Sequence, residues 1–294
     1  MKKYLFLLSV IAGMVSTVLA APFNEYTVYE DTQQSPIRTD LTKLRALHAI
    51  PYENGDKNQF NEESSLTRKE LGYWATSFLV KPENDGTFSY MAEALNLGIL
   101  NKTEGNATYQ DVIQAYFGKE SLKDKDVKAL ITGKETKIIS KKQAVLLLGK
   151  LLNRENGNDL VMKAHVRVGE KGIVTNVQKK ENTYFLSIDG IQYEMDKNIY
   201  LLNGPTNVKQ WNQKQIDTYW LRTTYSNNQP QTTVVFVEAN QQAFSNDSYS
   251  PKEQPNQEKS ENHHAFSWGI TVAIIILVVV TLVVWLKLRG KKEE

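Results

Sequence analysis

Residues 67–79 read Thr67-Arg68-Lys69-Glu70-Leu71-Gly72-Tyr73-Trp74-Ala75-Thr76-Ser77-Phe78-Leu79. The first four fit a capping box, in which a hydroxyl satisfies an amide of the first helical turn and an acid three residues on reaches back to the cap's own amide. Apolar residues then fall at +4, +7, +8, +11 and +12 from the cap (Leu71, Trp74, Ala75, Phe78, Leu79), which is one face of an α-helix. The pattern recurs twice. Thr108-Tyr109-Gln110-Asp111 opens a second segment that keeps Val112, Ala115 and Tyr116 and then stops. Ser140-Lys141-Lys142-Gln143 opens a third, with Ala144, Leu147, Leu148, Leu151 and Leu152 in the full register. A shorter apolar segment precedes each cap: Leu44, Leu47 and Ile50; Leu95, Leu97, Ile99 and Leu100; Val127, Leu130 and Ile131. The unit of short helix, loop and capped helix occurs three times, so residues 21–155 read as a helical repeat domain.

Beyond the polar stretch Asn153 to Asp159 the periodicity changes. β-branched and aromatic residues come in short runs: Val166 to Val168, Ile173 to Val177, Tyr184 to Ile188, Ile191 to Met195, Tyr219 to Thr224 and Thr232 to Val237. Asp189-Gly190 between two of them is a hairpin signal. Residues 160–239 therefore read as a small antiparallel β-barrel or sandwich of five or six strands. Residues 240–265 hold almost nothing apolar and read as a flexible linker, with a root-mean-square reach of roughly 25–30 Å. His263 and His264 close it, too few ligands for a metal site. The expected fold class is α+β and multidomain.

The ends carry their own signals. Met1-Lys2-Lys3, the apolar run Tyr4 to Leu19 and Ala20 form a secretory signal over residues 1–20, cleaved before Ala21. Residues 266–286 are 21 uncharged residues with Trp268 and Trp285 near the boundaries, long enough to cross a bilayer as one helix. Lys287, Arg289, Lys291 and Lys292 follow in a basic tail, 287–294, which places that tail in the cytoplasm and the bulk of the chain outside. No Leu-Pro-x-Thr-Gly precedes the helix, so it reads as a permanent anchor. The absence of cysteine excludes a lipoprotein site and disulfides. Taking away the two lysines of the signal, the four basic residues of the tail and its two glutamates leaves 29 basic against 31 acidic residues outside. That balance argues against a nucleic-acid binder.

Leu97-Gly98-Ile99, the stretch from Asn54-Gly55 to Phe60, and Thr67-Arg68-Lys69-Glu70 resemble the turn, loop and Thr-Arg-Ala-Glu cap of the S-layer homology (SLH) domain of bacterial surface proteins. The cap matches at three of four places, and the resemblance covers roughly residues 38–153, about two-fifths of the chain. It implies a three-pronged helical domain whose grooves bind secondary cell-wall polysaccharide, often carrying acidic pyruvyl groups. The glycan-binding residues it implies here are Thr67, Arg68, Glu70, Tyr109, Ser140 and Lys141. The β region is similar, more loosely, to small barrels of other SLH-bearing proteins. This chain departs from the motif where Tyr109 and Lys141 replace its arginine and Gln143 its acid, which leaves the first repeat as the best candidate groove.

The chemistry suits such a role. A helix start offers unpaired amides and partial positive charge, and an arginine in its first turn pairs well with a carboxylate or phosphate. Lys141 would act as a looser point charge. The alternative is that Thr67, Thr108 and Ser140 are caps only, with Arg68 and Lys141 on a solvated face. An exported enzyme is the competing class. Glu62-Glu63 and Asp124-Lys125-Asp126 are charge runs of the exposed-loop kind, His48 and His165 are isolated, and no triad, metal spacing or phosphate loop is present. The expectation is a non-enzymatic, cofactor-free, single-pass protein of a Gram-positive-like cell membrane, tethering the lipid bilayer to secondary cell-wall polysaccharide or a peptidoglycan-linked glycan. A membrane-anchored scaffold or accessory protein binding another protein, with the β domain as the surface for it, is the alternative, and a wall-modifying enzyme a further one.

Overall fold

The computed structural model describes residues 22–51, 59–80, 89–152, 160–181, 183–226 and 229–245. The expected signal peptide, the Asn54-Gly55 turn, the polar break at 153–159, the linker from 246 on with His263 and His264, the spanning segment and the basic tail lie outside them. Among the described residues no helix is long and apolar enough to cross a membrane.

The chain has helices followed by a β-barrel, as the periodicities predict. The three repeats pair α1 (Arg38–Ala46) with α2 (Arg68–Val80), α3 (Tyr90–Asn96) with α4 (Tyr109–Phe117), and α5 (Lys125–Ile131) with α6 (Lys141–Lys150). The shortness of α4 follows its truncated pattern: Gly118, at φ 82°, turns the chain away in a region that suits glycine. Leu71, Trp74, Ala75 and Phe78 of α2, Val112, Ala115 and Tyr116 of α4, and Ala144, Leu147 and Leu148 of α6 are buried in one cluster. Leu79, the last residue of the first stripe, is exposed instead.

After the single turn α7 (Leu160–Lys163), β2 (Val166–Gly169) and β3 (Gly172–Lys180) form one antiparallel run along β6 (Gln215–Ser226), from Val166 opposite Arg222 to Ile173 opposite Gln215. At Gly169 a Cβ would come within 2.2 Å of the Tyr219 ring, so any larger residue requires that ring to move aside. β3 continues past a bulge to pair with β4 (Thr183–Ile188), and β4 with β5 (Ile191–Leu202). The β4–β5 turn has Asp189 at φ 49° and Gly190 at φ 83°, the doubly left-handed geometry that the Asp-Gly pair predicts. β7 (Gln229–Ala239) then pairs with both β6 and β5.

The pairing closes in the order β3-β4-β5-β7-β6-β3, a five-stranded Greek-key barrel of the kind OB-folds exemplify. Many unrelated functions use such barrels, so the fold alone assigns none. One departure from expectation is that β5 and β7 run parallel. The β6–β7 hairpin returns β7 alongside β5 once the chain has crossed over through the 3-10 turn Val208–Trp211. The second is a seventh strand, β1 (Phe23–Asn24), parallel to Tyr200–Leu201 of β5. Two residues are too few to show alternation.

Barrel and helices share a core. Val174, Leu186, Ile188, Met195, Leu201, Ile216, Leu221, Val234 and Val237 are buried apart from the helical cluster and fill the barrel. Tyr200, Leu202, Trp220, Val235 and Phe236 belong to the helical cluster itself, with the Trp220 and Phe236 rings 4.2 Å apart. A bulge at Val235 in the β6–β7 register puts two successive large residues on that face. Polar links reinforce the junction: Lys43 pairs with Glu238 at 2.9 Å, Arg45 donates to the Tyr200 hydroxyl at 3.3 Å, and Arg222 donates to the Ala46 carbonyl at 3.0 Å. Phe244, inside the stretch read as linker, is buried with its ring 5.2 Å from that of Trp211.

Candidate functional site

All three capping boxes form. The Thr67, Thr108 and Ser140 hydroxyls accept from the amides of Glu70, Asp111 and Gln143 at 3.1, 3.2 and 3.2 Å. Each of those side chains accepts the cap's own amide in return, at 2.9, 2.8 and 3.1 Å. The residue just before each cap does something no local pattern shows. The Leu66 amide donates to the Ile139 carbonyl at 3.0 Å, the Ile139 amide to the Ala107 carbonyl at 3.0 Å, and the Ala107 amide to the Leu66 carbonyl at 2.7 Å. The three bonds form a closed cycle of fully buried residues, and the repeats stand around it with approximate threefold symmetry.

Each seam of this ring joins a helix start to the loop of the next repeat. The Arg68 amide donates to the Gly105 carbonyl at 2.9 Å, that of Gln110 to Glu135 at 3.1 Å, that of Lys141 to Ser64 at 3.0 Å, and that of Lys142 to Glu62 at 2.8 Å. These first-turn amides already have carbonyl partners.

The expected site side chains follow the same geometry. Arg68, the residue after the first cap, pairs with Asp111 of repeat two at 2.8 Å and donates to the Glu104 carbonyl at 3.1 Å. Lys141, the residue after the third cap, pairs with Glu70 of repeat one at 2.8 Å and lies 5.8 Å from the Phe60 ring. The side chains of Arg68 and Lys141 are only 12% and 11% exposed. Lys142 adds pairs to Glu62 at 3.0 Å and Glu63 at 2.8 Å, and Glu62 also accepts a very short bond from Ser35. At the seam between repeats two and three the corresponding positions are Tyr109 and Gln143. Tyr109 is buried there, with the Lys134 ammonium 5.6 Å from its ring centroid.

The electrostatics match. Burial would raise the Glu70 carboxyl, but hydrogen bonds from Lys141 and from the Thr67 amide and hydroxyl outweigh it and hold it below its ordinary value. The two glutamates beside Lys142 push its ammonium up. Burial raises the Tyr109 phenol. The structure thus gathers Thr67, Arg68, Glu70, Tyr109, Ser140 and Lys141 around one ring, spread over its three seams. Sequence reasoning missed the partners Asp111, Glu62 and Gly105. The signal for Asp111 was a cation one place after one cap and an acid three places after the next. No protein-family model, curated protein or solved structure matches the chain.

Proposed function

We propose that this is a non-enzymatic, single-pass surface protein that binds secondary cell-wall polysaccharide through its three repeats and tethers the cell membrane to the wall. The observation that carries the reading is the closed ring of Leu66, Ala107 and Ile139, because three capped helices around one axis is the arrangement the SLH resemblance implies. Lys134 and Lys137, exposed in the loop that leads to the third cap, supply cationic groups for an acidic sugar. The near-neutral outer region fits a glycan partner better than nucleic acid. The spanning segment supplies the bilayer end.

The test is sedimentation of the purified protein in detergent with isolated wall, before and after the wall polysaccharide is removed. Binding that disappears on removal supports the reading, and failure to sediment with intact wall sinks it. A second reading, a membrane-anchored scaffold for another protein, is favoured by the engagement of Arg68 and Lys141 in ion pairs between repeats. It predicts that removing the polysaccharide changes nothing.

A further inference from the structure

The three seams are built on one plan and finished differently, and the difference falls on the same seam twice. At seam one–two the position after the cap carries Arg68 and the facing acid is Asp111; at seam three–one they are Lys141 and Glu70. At seam two–three the cation has become Tyr109 and the acid Gln143. Gln143 still caps α6, receiving the Ser140 amide at 3.1 Å. The change therefore removes the crossing ion pair and leaves the helix intact. Among the described residues, this seam keeps the Ile139 to Ala107 bond within the Thr108–Ile138 bridge, the Gln110 to Glu135 bond, the Lys134 ammonium near the Tyr109 ring, and the apolar packing of Val127, Ile131 and Ile139 in the core shared with Val112 and Tyr116, and of the three seams it alone has no ion pair between these two positions. Lys134 is exposed, and a cation–aromatic contact at a wet site is weaker than a charge-assisted hydrogen bond between largely buried groups.

We infer that the ring has one unlocked seam, between repeats two and three, through which α5 and α6 swing away from α4 while the other two seams stay closed. Opening there bares Tyr109 and the main-chain groups of Ala107 and Ile139, which are buried at rest. The device goes beyond the glycan reading and does not depend on it.

The ring carries its own reporters, one buried amide for each seam: Ala107 for one–two, Ile139 for two–three and Leu66 for three–one. Hydrogen exchange on the full chain in detergent, read at single residues and corrected for intrinsic rates, should find Ile139 less protected than Leu66 and Ala107 by on the order of tenfold or more. Installing the missing pair with Tyr109→Arg and Gln143→Glu together should bring Ile139 close to the other two. Removing an existing pair should instead narrow the gap from the other side, Arg68→Met lowering the protection of Ala107 and Lys141→Met that of Leu66 while each leaves the Ile139 amide in place. Equal protection of the three amides, or an Ile139 amide that is the best protected, overturns the inference. If the double variant does not fold, the ordering of the three amides in the parent decides.

Discussion

At Arg68 the two guanidinium branches serve different partners, the Asp111 carboxylate and the Glu104 carbonyl, and both belong to the neighbouring repeat. Losing a charge-assisted bond of this kind costs about 1.5–3 kcal/mol, so Arg68→Ala should lower the melting temperature measurably. Arg68→Lys should recover part of the loss, since the charge survives without the fork. Thr67→Ala should cost about 1 kcal/mol through the cap alone. Wall affinity measured beside each melting curve separates the roles. We expect affinity to fall with stability, whereas a tenfold loss of affinity at unchanged melting temperature would reveal direct contact with the glycan. Glu70 gives the pH dependence. Its carboxyl is held below its unfolded value, so its contribution is complete above that value, near about 4.3, and disappears as pH falls through the lower folded value. Acid melting of Glu70→Gln should accordingly show a shallower loss of stability over that window than the parent.

At the scale of elements, what the sequence made legible was what neighbours in the chain decide. Capping boxes at Thr67, Thr108 and Ser140, the early stop of α4 and the Asp189-Gly190 hairpin all rest on residues within a few places of one another. The seams were hidden because Arg68 and Asp111 meet across 43 positions and each already has a local explanation, one as a surface cation and the other as a cap. The same holds for the barrel: all six β-patterned runs are strands, yet the parallel closure of β5 on β7 depends on where the crossover at Val208–Trp211 delivers the chain. Gly169 is a place where an element depends on a missing atom. Gly169→Ala should cost about 1–3 kcal/mol, because the Tyr219 ring must give way, and a paired Tyr219→Ala should remove the conflict while opening a cavity. Chemical denaturation of the two single variants and the pair tests whether the terms are non-additive in that sense.

For the described part of the whole molecule, the shared core is the governing fact. Tyr200, Leu202, Trp220, Val235 and Phe236 would be bared by removing the helices, so residues 160–239 alone should not fold stably. Thermal unfolding followed at Trp74 among the helices and at Trp211 in the barrel crossover should give coincident midpoints, and separate midpoints would show two independently melting parts. The cycle through Leu66, Ala107 and Ile139 bears on how such a chain changes in evolution. In an open stack of repeats each copy touches only its neighbours, so copies are gained and lost at modest cost and end copies need special caps. A closed cycle has no end copies. Deleting one repeat here would leave an amide and a carbonyl of the ring without their partners, and duplicating one would add a fourth member for which a three-membered ring has no place. The number three is therefore fixed by closure, and variation is confined to what each copy carries at its seam.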